Sequence, residues 1–118
     1  MLNISHKNLD VYKLSKELVK EIYLLTSTLP NSENFGITNQ LRRAAVSVPS
    51  NIAEGMSRDS NKDISKFLII ARSSLVEIDT QIELSVSLNY ISEKDISKLE
   101  DYIVRIFQML SKLITHYR

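Results

Sequence analysis

The chain has 118 residues, a net charge of +1 and no cysteine, which fits one domain over residues 1–118 and excludes disulfides and thiolate zinc sites. Two glycines and two prolines leave little material for hairpin turns, so a β-rich fold is not expected. No run approaches the roughly 18 apolar residues of a membrane span, and the start MLNISHKNLD lacks the apolar segment of a secretory signal. The expected setting is therefore the reducing cytoplasm, with no membrane partner.

The first helix is expected from about Leu9 to Leu29, with Asn8 as its N-cap. Val11, Leu14, Leu18, Ile22, Leu25 and Leu29 recur every three or four residues and form one apolar stripe, widened by Tyr12, Val19 and Tyr23. Pro30 stops this helix by pushing the residue before it out of the α region. After a connector from Asn31 to Gly36, a second helix opens near Thr38 and carries Ile37, Leu41, Ala44, Ala45, Val48, Ile52 and Met56. Pro49 removes the hydrogen bond that would reach the carbonyl of Ala45, so a kink is expected there. Gly55 weakens the same helix unless a neighbour packs closely against it.

A third helix is expected to start after Ser60 or Asn61 and to run to about Leu88, burying Ile64, Phe67, Leu68, Ala71, Leu75, Ile78, Ile82 and Val86. Ser92 and Asp95 read as a weak capping box for the fourth. There Ile96, Leu99, Ile103, Ile106, Leu110, Leu113 and Tyr117 alternate in steps of three and four, with Phe107 and Ile114 broadening the face. Short connections make sequential helices antiparallel neighbours. The expected fold is an all-α, antiparallel up-down-up-down four-helix bundle whose second helix is kinked at Pro49.

Charge is unevenly distributed along the chain. Arg42, Arg43, Arg58, Lys62, Lys66 and Arg72 dominate the middle, and Glu77, Asp79, Glu83, Glu93, Asp95, Glu100 and Asp101 dominate the stretch that follows. On the second helix Gln40, Arg43, Ser47, Asn51 and Glu54 share a face next to the apolar one. The third offers Ser74, Glu77 and Gln81 at matching spacing. Arg43 with Glu77 would make a charge-assisted pair, and Asn51 could satisfy backbone groups released by Pro49. Three readings stay open for this stripe: a polar network fixing register or a subunit contact, a plain solvated face, or a ligand or nucleic-acid surface built on Arg42, Arg43 and Arg58.

Catalytic templates find no match. Glu54 and Glu77 have no second signal beside them, and there is no phosphate-binding glycine loop and no serine with Lys or His at triad-like spacing. His6 and His116 stand near opposite ends and read as frayed terminal residues rather than metal ligands. No enzyme, metal or cofactor is expected.

The segments LPNSENFGITNQLRRAAVSVPSNIAEGMSR at Leu29 to Arg58 and KFLIIARSSLVEIDTQIEL at Lys66 to Leu84 carry a resemblance. They resemble a bacterial four-helix-bundle family known from proteins encoded in intervening sequences of 23S ribosomal RNA genes and often labelled ribosomal. The most specific string is SVPSNIAEG with RRAA just before it. The resemblance implies an antiparallel bundle assembling as a ring-shaped homopentamer, with RNA binding inferred in some members from genetic location alone. A similar fold occurs in strongly basic accessory proteins of diversity-generating retroelements, from which this nearly neutral chain departs. Two functions follow as expectations. One is a non-enzymatic homo-oligomer that contacts structured RNA, or a nucleic-acid-associated protein, through Arg42, Arg43, Arg58, Lys62, Lys66 and Arg72. The other is a protein-binding scaffold or accessory subunit without nucleic acid, its polar stripe and wide apolar faces serving assembly.

Overall fold

The computed structural model describes residues 1–118, apart from the side chain of Asn8, so the N-cap expected of Asn8 lies outside the described residues. Four helices follow in order: α1 Asp10–Thr26, α2 Ile37–Met56, α3 Asn61–Ser87 and α4 Ser97–Tyr117. Among the described residues there is no strand. Each helix contacts the next in sequence, and α4 closes back on α1, giving the expected antiparallel bundle. The α2–α3 turn, the amino-terminal residues and the end of α4 meet at one end. The α1–α2 and α3–α4 connections meet at the other.

The apolar stripes form one core. Leu18 and Ile22 of α1, Leu41, Val48 and Ile52 of α2, Leu68, Leu75 and Ile78 of α3, and Ile106, Leu110 and Ile114 of α4 are almost fully enclosed. Burying each such side chain contributes about 1.5–3 kcal/mol. The contact between α2 and α3 is the most extensive, because small residues line it. Ala44, Ala45 and Ala71 are buried there. At Gly55 an added Cβ would lie 2.9 Å from the Cβ of Phe67 and 3.2 Å from the carbonyl oxygen of Ile64, so the glycine permits a close approach that a side chain would block.

The helix ends differ in detail from the sequence expectation. α1 stops at Thr26, short of Leu29. The hydroxyls of Thr26, Ser27 and Thr28 donate back to the carbonyls of Ile22, Leu24 and Leu25 at 2.7, 2.6 and 2.7 Å, competing with the backbone for acceptors in the last turn. α2 runs unbroken through Pro49. α3 opens as expected, the Ser60 hydroxyl accepting the Asp63 N–H at 3.2 Å. It closes on Asn89, whose φ of 62° is left-handed. There Tyr90 N–H donates to Ser85 O and Asn89 N–H to Val86 O, both at 2.9 Å, the paired bonds of a Schellman cap.

Ser92 and Asp95 do not cap α4. The Ser92 hydroxyl donates to the Asp95 carboxylate at 2.9 Å across a 3-10 turn, Glu93–Asp95, and α4 starts after it at Ser97. His6 is also not frayed: it is buried, its ring edge-on to Tyr12 at 4.9 Å between centroids. That packing follows from a short 3-10 turn, Ser5–Asn8, which folds the amino-terminal residues against α1 and α2. His116 is exposed beside Tyr117.

Candidate interaction surfaces

The polar stripe of α2 faces α3 along a seam. Gln81 Nε2 donates to Gln40 Oε1 at 3.1 Å and to Glu77 Oε1 at 3.2 Å, and the hydroxyls of Ser47 and Ser74 share a hydrogen bond of 2.9 Å. Gln81 and Ser74 are buried, with the Oε1 atom of Gln81 left unpartnered. Each cross-helix bond contributes about 1 kcal/mol and fixes the sliding register of two closely packed helices. Asn51 Nδ2 donates to the Ser47 carbonyl at 2.8 Å and to the Ser47 hydroxyl at 2.9 Å. It therefore does not serve Ala45, which lies six residues back and about 9 Å away along the helix.

Arg43 and Glu77 line the same groove, about 400 Å³ in volume, with Ser47, Ser74 and the fully exposed Phe35. They are not within ion-pair distance. The Glu77 carboxylate accepts from Gln81 instead, and Glu54 pairs with Arg58 just past the end of α2. Glu54 and Glu77 are thus engaged with separate partners and do not form a carboxylate pair. No group of three His, Cys, Asp or Glu residues that could hold a metal is present among the described residues.

The six cations of the central segment occupy different sides of the bundle. Arg42 lies on the α1/α2 side, its Nε donating to the Thr26 hydroxyl at 2.8 Å and its guanidinium 4.6 Å from the Tyr23 ring centre. Arg72 lies on the opposite, α3/α4 side, 5.6 Å from the Phe107 ring centre and bonded to the Ser111 hydroxyl at 3.2 Å. Arg43 faces the α2/α3 groove. Arg58, Lys62 and Lys66 lie at the α2–α3 end of the bundle, where Arg58 pairs with Glu54 and its guanidinium lies 4.7 Å from the Phe67 ring centre. Proximity in sequence did not reveal this, because successive helical residues point about 100° apart.

Topology adds cations that the sequence reading missed. The antiparallel course places the end of α4, with Lys112 and Arg118, at the same end as Lys62 and Lys66. The opposite end gathers Glu33, Glu83, Glu93, Asp95 and Glu100. Two links tie that end together. The Tyr90 hydroxyl donates to the Glu33 carboxylate at 2.8 Å, which raises the tyrosine pKa above its ordinary value. Lys98 pairs with Glu21 across α4 and α1 at 3.1 Å, and the hydrogen bond to that carboxylate raises the lysine pKa. No helix among the described residues is long and apolar enough to cross a membrane.

Comparison with known proteins places these features in a family. Comparison with curated proteins found no match. A crystal structure described as a protein with unknown function from the S23 ribosomal protein family of Bacteroides thetaiotaomicron superposes with a TM-score of 0.81. It is 25% identical, over 88% of this chain and 97% of that one. The sequence model of the family described as "23S rRNA-intervening sequence protein" matches residues 7–112. The four-helix bundle and this match over most of its length agree: the chain belongs to the 23S rRNA-intervening sequence protein family.

Proposed function

We propose that this chain is a non-enzymatic, homo-oligomeric interaction protein, a homopentamer by its family likeness, that contacts structured RNA through the basic end of the bundle. The observation that carries the reading is the clustering of Arg58, Lys62 and Lys66 at the α2–α3 turn, beside the cationic end of α4. Repetition in an oligomer multiplies this local excess, and arrayed cations attract phosphates even when total charge is near zero. Arg42, Arg43 and Arg72 contribute less in this reading, since Arg42 and Arg72 are stacked on aromatic rings on opposite sides of the bundle. The half-buried Phe67 lies beneath Arg58, so contact runs through phosphates rather than base stacking.

The direct test is the triple variant Arg58→Glu, Lys62→Glu, Lys66→Glu, assayed against a structured ribosomal RNA hairpin. Helicity and assembly mass should stay at wild-type values while RNA affinity collapses. Unchanged affinity would place the contact elsewhere. A second reading, a protein-binding scaffold without nucleic acid, draws support from apolar grooves on two sides of the bundle.

A further inference from the structure

We propose that the polar groove between α2 and α3 binds a single guanine base, carried by a free nucleotide or by an unpaired position of an RNA. Gln40, Arg43 and Ser47 of α2 form it with Ser74 and Glu77 of α3, and the contact at the basic end makes no use of them. Its volume of about 400 Å³ falls within the usual size of small-ligand sites, roughly 300–1,000 Å³. The groove runs from the middle of α2 toward the α1–α2 connection, away from Lys62 and Lys66.

Three features set its chemistry. Arg43 is exposed in the groove and takes part in no ion pair among the described residues. Glu77 lines the same groove from α3, and the buried Gln81 fixes its position. One N–H of Gln81 goes to Glu77 Oε1 at 3.2 Å and the other to Gln40 Oε1 at 3.1 Å. Both acceptors are thereby held in place, and the second Glu77 oxygen and the Gln40 amino group stay available to a ligand. Phe35, just before α2, stands at the end of the groove with 97% of its surface exposed. Its ring is a ready stacking surface for a flat molecule.

These groups select among ligands. A simple anion would be drawn by Arg43 and repelled by Glu77, and a simple cation the reverse. The fitting ligand presents acceptors to the guanidinium, donors to the carboxylate and a flat face to the phenyl ring. Guanine does all three. Its O6 and N7 are the acceptor pair that an arginine takes bidentately. Its N1–H and N2 amino group are adjacent donors matched to the two oxygens of a carboxylate, and any purine stacks on an aromatic side chain. Adenine, cytosine and uracil lack the pair of adjacent N–H donors. In RNA these edges are open to protein where a base is unpaired, in a loop or bulge. The base contact is independent of the phosphate contact proposed above, because the two use different residues.

The test titrates the full chain with guanosine, inosine and adenosine, followed by saturation-transfer NMR. Guanosine should bind at least about fivefold more tightly than adenosine, the lower bound for one bidentate pair. Inosine, which lacks the N2 amino group, should fall between them. Phe35→Ala should weaken guanosine binding about fivefold or more, Arg43→Gln should weaken it similarly, and Glu77→Gln should erase the preference over inosine. All three side chains are exposed, so circular dichroism should show wild-type helicity for each variant. Two RNA hairpins differing in one looped base, guanine or adenine, identify the source. A preference for the guanine loop assigns RNA; indifference to the loop base, with guanosine monophosphate still bound, assigns the free nucleotide. The Arg58→Glu, Lys62→Glu, Lys66→Glu variant separates this proposal from the phosphate contact, since it should lose RNA affinity and keep guanosine binding. Loss of guanosine binding in that variant would overturn the groove assignment. So would equal affinity for guanosine and adenosine, tighter binding of free tyrosine than of guanosine, or no guanosine binding together with indifference to the looped base.

Discussion

Replacing Gly55 with alanine sets two local effects against each other, and the structure decides between them. Alanine in place of glycine inside a helix is favourable by about 1 kcal/mol. The added Cβ, however, would lie 2.9 Å from the Cβ of Phe67 and 3.2 Å from the carbonyl oxygen of Ile64. One of these atoms is the root of a side chain and the other is backbone, so neither can swing away. Relief requires α3 to move by several tenths of an ångström, at the helix pair with the most extensive contact in the bundle. Overpacking of this kind costs typically 1–3 kcal/mol, which leaves a net loss of about 1 kcal/mol. For a domain of this size that corresponds to a Tm lower by about 3–5 °C. Thermal unfolding followed by circular dichroism measures it, with Gly55→Leu expected to be far worse. A Gly55→Ala protein that melts above wild type would show that the approach of α2 and α3 is not limiting at this point.

Two further outcomes follow from the other end of the bundle. Asn89 holds a φ of 62° in the cap of α3, so Asn89→Gly should leave Tm unchanged or raise it. Asn89→Val should lower stability by about 1–2 kcal/mol through left-handed strain. Equal Tm values for the Gly and Val variants would refute the cap. The Tyr90 hydroxyl, held above its ordinary pKa of 10.0 by the Glu33 carboxylate, contributes stability in full below about pH 10. That contribution is lost as pH rises through the folded-state value. Tyr90→Phe should therefore melt below wild type at neutral pH, and the difference should close at higher pH. Lys98 shifts in the same direction but is present in both proteins, so the comparison isolates Tyr90. A Tm difference independent of pH would argue against the bond.

The fold was legible in the sequence because its core is periodic. The Ile96-to-Tyr117 stripe and its counterparts outlined the four helices and most of their inward faces, while Tyr23 and Phe107, read as widening those stripes, stay exposed. What the sequence concealed were local contests and lateral positions. Thr26, Ser27 and Thr28 ended α1 early by back-bonding to its last carbonyls, an effect outside apolar spacing. Asn89 was a readable cap signal, since Asn is the usual substitute for glycine at a left-handed position. His6 looked like a terminal residue until the chain turned it onto Tyr12.

The candidate surface was less legible than the fold. Arg42 and Arg72 sit in one basic stretch of sequence but stack on Tyr23 and Phe107, on opposite sides of the bundle. The grooves on the two sides of the bundle draw their linings from separate helices: Lys16 and Lys20 from α1, Asp79 and Glu83 from α3, Glu100 from α4. No linear pattern connects such residues until the bundle is closed.

The central claim is tested most directly by titrating the wild-type chain against a structured ribosomal RNA hairpin at about 50 and 200 mM salt. Three phosphates neutralised by Arg58, Lys62 and Lys66 correspond to about a 20- to 40-fold loss of affinity over that range, with a steeper loss if several subunits engage at once. Binding that weakens by at least this factor is the predicted result. No binding at the lower salt concentration, or binding indifferent to salt, would contradict it.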